Sequence, residues 1–182
     1  MPAKKDKPLI KKEILDQPKI VSSDQLLSEK SVELSEFEYG LIISWHAFSR
    51  WLVRCMSAAG MQDLTPIDIL VLHHLNHRQR DKKLADICFV LNVEDTHIVS
   101  YSLKKLVAAS LVKNKKQGKE VLFSLTEKGA EICESYRQVR ETCLMSGFSG
   151  KESENQQFSD LAGVLRALSG HYDQAARAAS SI

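Results

Sequence analysis

One ordered series of short patterns between Lys83 and Gly129 constrains the fold of this chain more than any other feature of its sequence. Two short amphipathic helix patterns come first, one over Leu84–Leu91 and one from about Asp95 onward. Two strand-like runs then flank the basic turn KNKKQGK, in which Gly118 favours a tight reversal. Asp95 is the expected N-cap of the second helix, whose inner face would consist of Val99, Leu103 and Leu106. Before this series, Thr65, Pro66 and Asp68 predict the start of another helix with a short capping box. A helix capped by Thr126 follows the hairpin, so the order of the series is helix, turn, helix, hairpin and helix.

That order is the layout of a winged helix-turn-helix, whose second helix fits the DNA major groove while the hairpin, or wing, lies beside it. We therefore predict a mostly α fold with a small β-hairpin wing (α+β), in which a winged helix-turn-helix is flanked by long dimerisation helices. The DNA-binding core would occupy residues 64–125, and residues 35–60 and 126–182 would form the flanking helices. Residues 1–34 are expected to be an N-terminal extension, an arm or partly disordered.

The flanking helices are strongly apolar along one face. A first helix is expected to begin at Ser35 as its N-cap and to end near Gly60. The chain's last helix has an apolar stripe at helical spacing, made of Phe158, Leu161, Leu165, Leu168 and Tyr172. Few partners remain for this stripe within one chain, so we expect it to pair with a second copy in a homodimer.

Local charge is more informative than the net charge, which is only +2. From His97 to Lys119 there are lysines and no Asp or Glu, and such a patch suits contact with DNA phosphates. The outer face of the second short helix is expected to bind DNA through Thr96, His97, Ser100, Tyr101 and Lys104. The wing is expected to hold phosphates through Lys113, Lys115, Lys116 and Lys119. The alternative for both sets is an ordinary solvated surface.

Other function classes find little support in the sequence. No apolar run is long enough for a membrane span, no export signal is visible, and the widely spaced cysteines suit a cytoplasmic protein with reduced thiols. His73 and His77 share a helix face but lack further ligands, so we expect neither a metal nor another cofactor. No nucleophile elbow, phosphate loop or carboxylate pair is present, and we predict that the chain is not an enzyme.

Several segments resemble the MarR family of winged-helix transcription regulators. LTPIDILVLHHL is similar to the family's LTPxQxxxLxxL, and FSLTEKG is similar to its VSLTxKG after the wing. LADICFVLNV and LKKLVAASLVK resemble the helices between them, and the likeness extends from about Ser35 to the C-terminus. The resemblance implies a dimeric, DNA-binding transcriptional regulator that binds a pseudo-palindromic operator as double-stranded DNA.

The chain departs from the family pattern at three places. Ser110 stands where the family usually has Gly, the wing has no arginine, and Glu94 and Asp95 lie at the start of the second short helix. Acids near phosphates weaken DNA binding, unless Asp95 is used as the helix cap. The alternative function is therefore a winged-helix protein-interaction module without sequence-specific DNA binding.

Two further hypotheses concern small molecules and oxidants. Trp45, Phe48, Trp51 and Tyr136 are candidates to line an effector pocket, although core packing explains the same residues. Some relatives in the family sense oxidants through cysteine. Here Cys55, Cys88 and Cys133 lie on or beside apolar stripes, where small buried residues are normal.

Overall fold

The computed structural model describes residues 30–182, and of Gln79 the backbone alone. The described chain divides into two compact units, the first ending at Ser146 and the second beginning at Gly147. The helices of the first unit are α1 (Val32–Ala58), α2 (Pro66–Asn76), α3 (Leu84–Leu91), α4 (Thr96–Ala108) and α5 (Glu127–Cys143). Its strands are β1 (Lys82–Lys83), β2 (Val112–Gln117) and β3 (Glu120–Leu125). The predicted class, mostly helical with a small β-hairpin wing, is confirmed.

Helix α1 begins earlier than the sequence predicts, so the predicted start at Ser35 is wrong. Ser31 is the N-cap, and its hydroxyl accepts a hydrogen bond from the backbone N–H of Leu34 (3.3 Å). Glu33 lies in the first turn, where the helix dipole favours an acid. Because nothing in this turn opposes helix formation, residues 32–34 belong to α1 rather than to an N-terminal extension. The rest of the predicted extension, residues 1–29, lies outside the described residues.

The wing is longer and its turn tighter than the sequence indicates. Most of the KNKKQGK segment is strand rather than turn, and only Gly118 and Lys119 connect β2 to β3. Gly118 has a φ of 62°, which a glycine adopts at little cost. Strand β1 was not predicted, because two residues carry no alternation and the strand exists only through its antiparallel pairing with β3. The sheet order is β1-β3-β2.

The core of the first unit lies among its five helices and one face of the sheet. Met56, Ile69, Leu72, Ile87 and Leu106 are fully buried there. At the edge of this core Lys82 is buried too, and its ammonium donates to the carbonyl oxygens of His74 and His77 (2.8 Å for His77). Burial and the nearby Arg80 and Arg78 lower the pKa of Lys82. The buried cation is thus hydrogen-bonded to carbonyl oxygens at the end of α2, where helix carbonyls have few partners within the helix.

Helix α1 contributes only its C-terminal part to this core. Leu52, Cys55 and Met56 are buried, whereas the side chains of Trp45 and Phe48 stay 49% and 47% exposed. The predicted apolar face of α1 is therefore real but half of it is uncovered in the single chain.

The second unit consists mainly of helix α6 (Glu152–Ala179), as the terminal apolar stripe predicted. The Glu154 carboxylate accepts hydrogen bonds from the backbone N–H groups of Ser149 (2.9 Å) and Gly150 (3.1 Å), which fixes the start of the helix. The rings of Phe148 and Phe158 pack edge to face at 5.5 Å. No residue of α6 is buried.

The N-terminus of α2 carries the predicted capping box and joins it to α4. The Asp68 carboxylate accepts hydrogen bonds from the backbone N–H (2.9 Å) and hydroxyl (2.8 Å) of Thr65. The same carboxylate oxygen lies 2.8 Å from the ammonium of Lys105 in α4, which also donates to the carbonyl of Asp63. Burial would raise the pKa of Asp68, but the hydrogen bonds from Lys105 and Thr65 outweigh it, so the pKa is lowered.

Two residues in the family-like motifs have clear backbone roles. Ser110 has a φ of 61°, in the left-handed region that favours glycine, which explains the family's preference at this position. At Gly129, in the first turn of α5, an added Cβ would lie 2.1 Å from the Leu111 carbonyl oxygen and 3.0 Å from a Leu125 methyl. The glycine of FSLTEKG therefore permits α5 to pack directly against the start of the wing.

We expect Gly129→Ala to lower the free energy of unfolding by about 1–3 kcal/mol, because the overlap with a backbone carbonyl forces α5 away from the wing. A helical Gly→Ala change without such overlap should instead raise it, by up to about 1 kcal/mol. Gly40→Ala in α1, where nothing lies within 4 Å of the added Cβ, is the matched control. Urea unfolding followed by circular dichroism measures both; equal effects of the two changes would contradict the packing described here.

Asp68→Ala is expected to cost about 2–3 kcal/mol of unfolding free energy, because it removes a helix cap and leaves Lys105 without its carboxylate. Since folding lowers the pKa of Asp68, this contribution is present above the carboxyl group's unfolded pKa and is lost as pH falls through the folded pKa. The control is Asp86→Asn, which changes an exposed acid on α3. An Asp68→Ala variant as stable as Asp86→Asn at neutral pH would rule out the anchoring role.

Candidate nucleic-acid interface

Helix α4 presents one polar face outward while its opposite face is held in the core. Val99, Leu103 and Leu106 are buried, as predicted for the inner face. On the outer side, four of the five predicted DNA-contacting residues are exposed and Ser100 is half-buried; the exposed ones are Thr96, His97, Tyr101 and Lys104. A rigid helix with a free polar face has the form needed to enter a major groove.

The two acids at the start of α4 have different roles. Asp95 is the N-cap, and its carboxylate accepts a hydrogen bond from the backbone N–H of His97 (2.9 Å). The prediction that Asp95 caps this helix is confirmed. Glu94 is exposed beside it. Asp95 therefore stabilises the start of α4, and Glu94 leaves a negative charge on the surface beside it.

The pairing of the wing strands determines which charged side chains share a face. Lys113 lies opposite Ser124, and Lys115 opposite Leu122, so these two lysines are on the outer face of the sheet. Asp81 and Glu120 are placed at the same face and form ion pairs, Asp81 with Lys115 and Glu120 with Lys83 (2.7 Å). The hydrogen bond from Lys115 lowers the pKa of Asp81, so this acid stays charged beside the wing.

The segment from His97 to Lys119 contains six lysines, and only some of them are available as a cationic surface. Lys105 is held by Asp68 and Lys115 by Asp81. The other four are exposed and form no ion pair with another described residue; they are Lys104, Lys113, Lys116 and Lys119. Neither ion pair was predicted from the sequence. Asp68, at the third position of α2, was the available signal for the pair with Lys105. The second depends on β1, which carries no sequence pattern.

The four candidate effector-pocket residues lie in two different environments. Trp45 and Phe48 form an exposed ring pair on α1, with centroids 6.5 Å apart. Trp51 packs against the core, and Tyr136 is buried with its ring 4.4 Å from that of His73. Burial is the main cause that raises the pKa of Tyr136 to about 12, which keeps the phenol protonated. Within the single chain, Trp51 and Tyr136 are thus core residues.

The candidate metal-binding and oxidant-sensing residues pack mostly in the interior of the first unit, although Cys143 is exposed. His73 packs on Tyr136, and burial lowers its pKa, so its imidazole is held neutral. Residues 30–182 contain no group of three or more His, Cys, Asp or Glu side chains arranged to hold a metal. Cys55, Cys88 and Cys133 are buried as predicted, and burial raises the pKa of the Cys133 thiol to about 11. Such thiols are poor nucleophiles.

A search for membrane-spanning helices over residues 30–182 finds none with the required length and apolar character.

The winged part of the chain matches a known domain. Residues 64–129 match the family model for the winged helix DNA-binding domain. No curated protein sequence matches the chain.

Solved structures show the same fold at low sequence identity. A cysteine-to-serine mutant of MarR from E. coli complexed with operator DNA is 21% identical, with 76% of this chain and 99% of that chain covered and a TM-score of 0.59. Reduced AbfR bound to DNA is 19% identical, with coverages of 78% and 98% and a TM-score of 0.59. AbfR of Staphylococcus epidermidis is 17% identical, with coverages of 74% and 92% and a TM-score of 0.59.

The predicted fold class and the resemblance noted in the sequence are thus confirmed by independent comparisons. The matched family model describes a DNA-binding domain and not an enzyme. The chain is a winged-helix protein that shares the fold of the MarR structures, and its residues 64–129 match the winged helix DNA-binding domain.

Proposed function

We propose that this protein is a transcriptional regulator that binds a pseudo-palindromic operator as a homodimer. Helix α4 would lie in the major groove of double-stranded DNA, and the wing would contact the adjacent phosphates. As a regulator acting on DNA it would work in the cytoplasm, and it needs no cofactor.

The observation that carries this proposal is the exposed outer face of α4 beside the free wing lysines. The inner face of α4 is buried, and Lys105 joins the helix to α2, so the outer face is held in one orientation. Tyr101 and Lys104 offer a phenol and an ammonium to base edges or nearby phosphates. The exposed wing lysines that form no ion pair with a described residue are available to the DNA backbone; they are Lys113, Lys116 and Lys119. Base-facing and phosphate-facing groups are therefore both present.

Homodimer formation is supported by apolar surface that the single chain leaves open. Helix α1 exposes Leu41, Ile42, Trp45 and Phe48 ahead of its buried C-terminal part. Helix α6 separately exposes an apolar stripe that includes Phe158, Leu161, Leu165 and Tyr172, with Leu168 half-buried. Long helices with open apolar faces are typical of obligate dimers. A two-fold dimer would present two α4 helices to half-sites about 34–36 Å apart.

A small-molecule effector is a further part of this proposal. Trp45 and Phe48 would come to line the dimer interior, near Trp51 and Tyr136, which lie deeper in the first unit. Aromatic rings with few polar groups suit an apolar or aromatic ligand.

The second candidate function is a winged-helix protein-interaction module without sequence-specific DNA binding. Its support is the pairing of Lys105 and Lys115 with acids, together with the exposed Glu94 at the start of α4. These features reduce the positive charge of the surface that would face DNA. Measured binding to duplex DNA separates the two functions.

Wild-type protein should bind random-sequence duplex DNA with strong salt dependence in fluorescence anisotropy, because wing lysines displace counterions from phosphates. Alanine replacement of Lys113, Lys116 and Lys119 together should remove most of that binding and reduce the salt slope by about 0.9 for each phosphate that is no longer neutralised. Lys151→Ala, which removes an exposed lysine outside the wing, should bind like the wild type. Absence of binding even at low salt would favour the protein-interaction module.

Asp81→Asn is expected to strengthen binding to all duplex sequences, because it frees the Lys115 ammonium for a phosphate. The salt slope should become steeper by about 0.9 per protomer, which corresponds to one more neutralised phosphate. Asp86→Asn removes an exposed acid on α3 that forms no ion pair with a described lysine, and serves as the charge-matched control. Weaker binding by Asp81→Asn would mean that the carboxylate positions Lys115 for DNA rather than competing with it.

A further inference from the structure

An apolar groove of about 500 Å³ runs along one side of α4, between this helix and the start of α2. Its lining comprises Thr65, Ile67, Asp68, His97, Ile98 and Tyr101. The side chains of Ile98 and Tyr101 are 47% and 72% exposed, so the groove opens to solvent on the face proposed to meet DNA. An exposed isoleucine in the first turn of this helix has no role in the hydrophobic core and calls for another explanation.

The position of Ile98 on the helix places it beside the base-facing residues. Ile98 and Tyr101 are three residues apart and therefore neighbours on one side of α4. Lys105 follows four residues after Tyr101 on that side, and it is engaged by Asp68. Thr96 and Ser100 lie on the opposite flank, so the outer surface of α4 has one polar flank and one apolar flank.

The groove is apolar although Asp68 lies in its lining, because the Asp68 carboxylate is already bound by Thr65 and Lys105. Asp68 forms part of the lining but is only 2% exposed, because Thr65 and Lys105 surround its carboxylate. Little of its charge is presented to the groove. The groove therefore offers a phosphate little, with His97 at its edge, whereas a methyl group would be covered by Ile98 and the Tyr101 ring.

Duplex DNA offers one apolar group at the floor of the major groove, the 5-methyl group of thymine. We propose that Ile98, with the ring of Tyr101, is a specificity-determining residue that receives a thymine methyl group in each operator half-site. This inference rests on the proposed function, since it requires α4 to lie in the major groove. The exposed Lys104 and the free wing lysines make DNA the occupant favoured by charge.

The test compares thymine with deoxyuridine, which keeps the pairing edge and the O4 acceptor and lacks only the methyl group. An operator is first selected from a random duplex pool with the wild-type protein. Each thymine is then replaced by deoxyuridine, at symmetry-related positions in both half-sites. We expect one such replacement to weaken wild-type binding by about fourfold for each methyl group removed, the equivalent of burying one methylene.

The Ile98→Ala variant should lose most of the discrimination between the thymine and deoxyuridine operators, whereas Ile98→Val should keep most of it. Val90→Ala, which shortens an exposed apolar side chain on α3, should discriminate like the wild type. Thermal unfolding of each variant verifies that these exposed changes leave the fold intact.

Failure of this inference and failure of the proposed function give different results. Salt-sensitive, operator-specific binding with no deoxyuridine penalty at any position would overturn the role of Ile98 and leave the regulator function in place. A penalty of unchanged size in Ile98→Ala would also overturn it, because the methyl group would then be contacted without Ile98. Failure to select any DNA sequence would contradict the proposed function itself.

Discussion

The buried carboxylate of Asp68 is the interaction on which the candidate interface depends. It caps α2 through Thr65 and fixes α4 through Lys105, so one oxygen atom joins the two helices. A charge buried to this extent is tolerated only when it is paired and hydrogen-bonded, and the Lys105 ammonium and Thr65 groups meet that requirement. Helix α4 is thereby fixed against the start of α2, which holds its outer face in one orientation, as rigid base recognition would require.

The same pairing changes how the charge of this protein should be understood. The net charge is only +2, and it is the lysine-rich segment from His97 to Lys119 that suggests a cationic patch. Two of the lysines instead hold the structure together or neutralise an acid, and the remaining four are distributed over α4 and the wing. Under the proposed function, Asp81 and Glu94 would limit affinity for phosphates, while the apolar flank of α4 at Ile98 would add a contact that does not depend on charge.

The sequence predicts most of the fold because its signals are local. Thr65, Pro66 and Asp68 mark the start of α2, Asp95 marks α4, and Thr126 marks α5, and each prediction is confirmed. The predicted start of α1 is one turn late, because Ser31 and Ser35 are equivalent capping signals and only the full packing selects between them.

Features that arise from contacts distant in sequence were not predictable in the same way. Strand β1, and with it the Asp81–Lys115 pair, follows from pairing with β3. Lys105 meets Asp68 across 37 positions of sequence, and no periodicity reports such a contact. The predicted contacts of α4 and the wing with DNA, and of α6 with a second copy, stay predictions, since they involve molecules outside the single chain.

Hydrogen–deuterium exchange of the full chain, with and without duplex DNA, would show which surface binds DNA. We expect slower exchange on DNA binding at the first turns of α4, around Thr96 to Tyr101, and at the wing turn around Gly118. The exposed half of α1, which is proposed to face a second copy, should be unchanged by DNA. Protection confined to α1 or α6, with α4 and the wing unaffected, would contradict the assignment of the outer face of α4 as the surface that binds DNA.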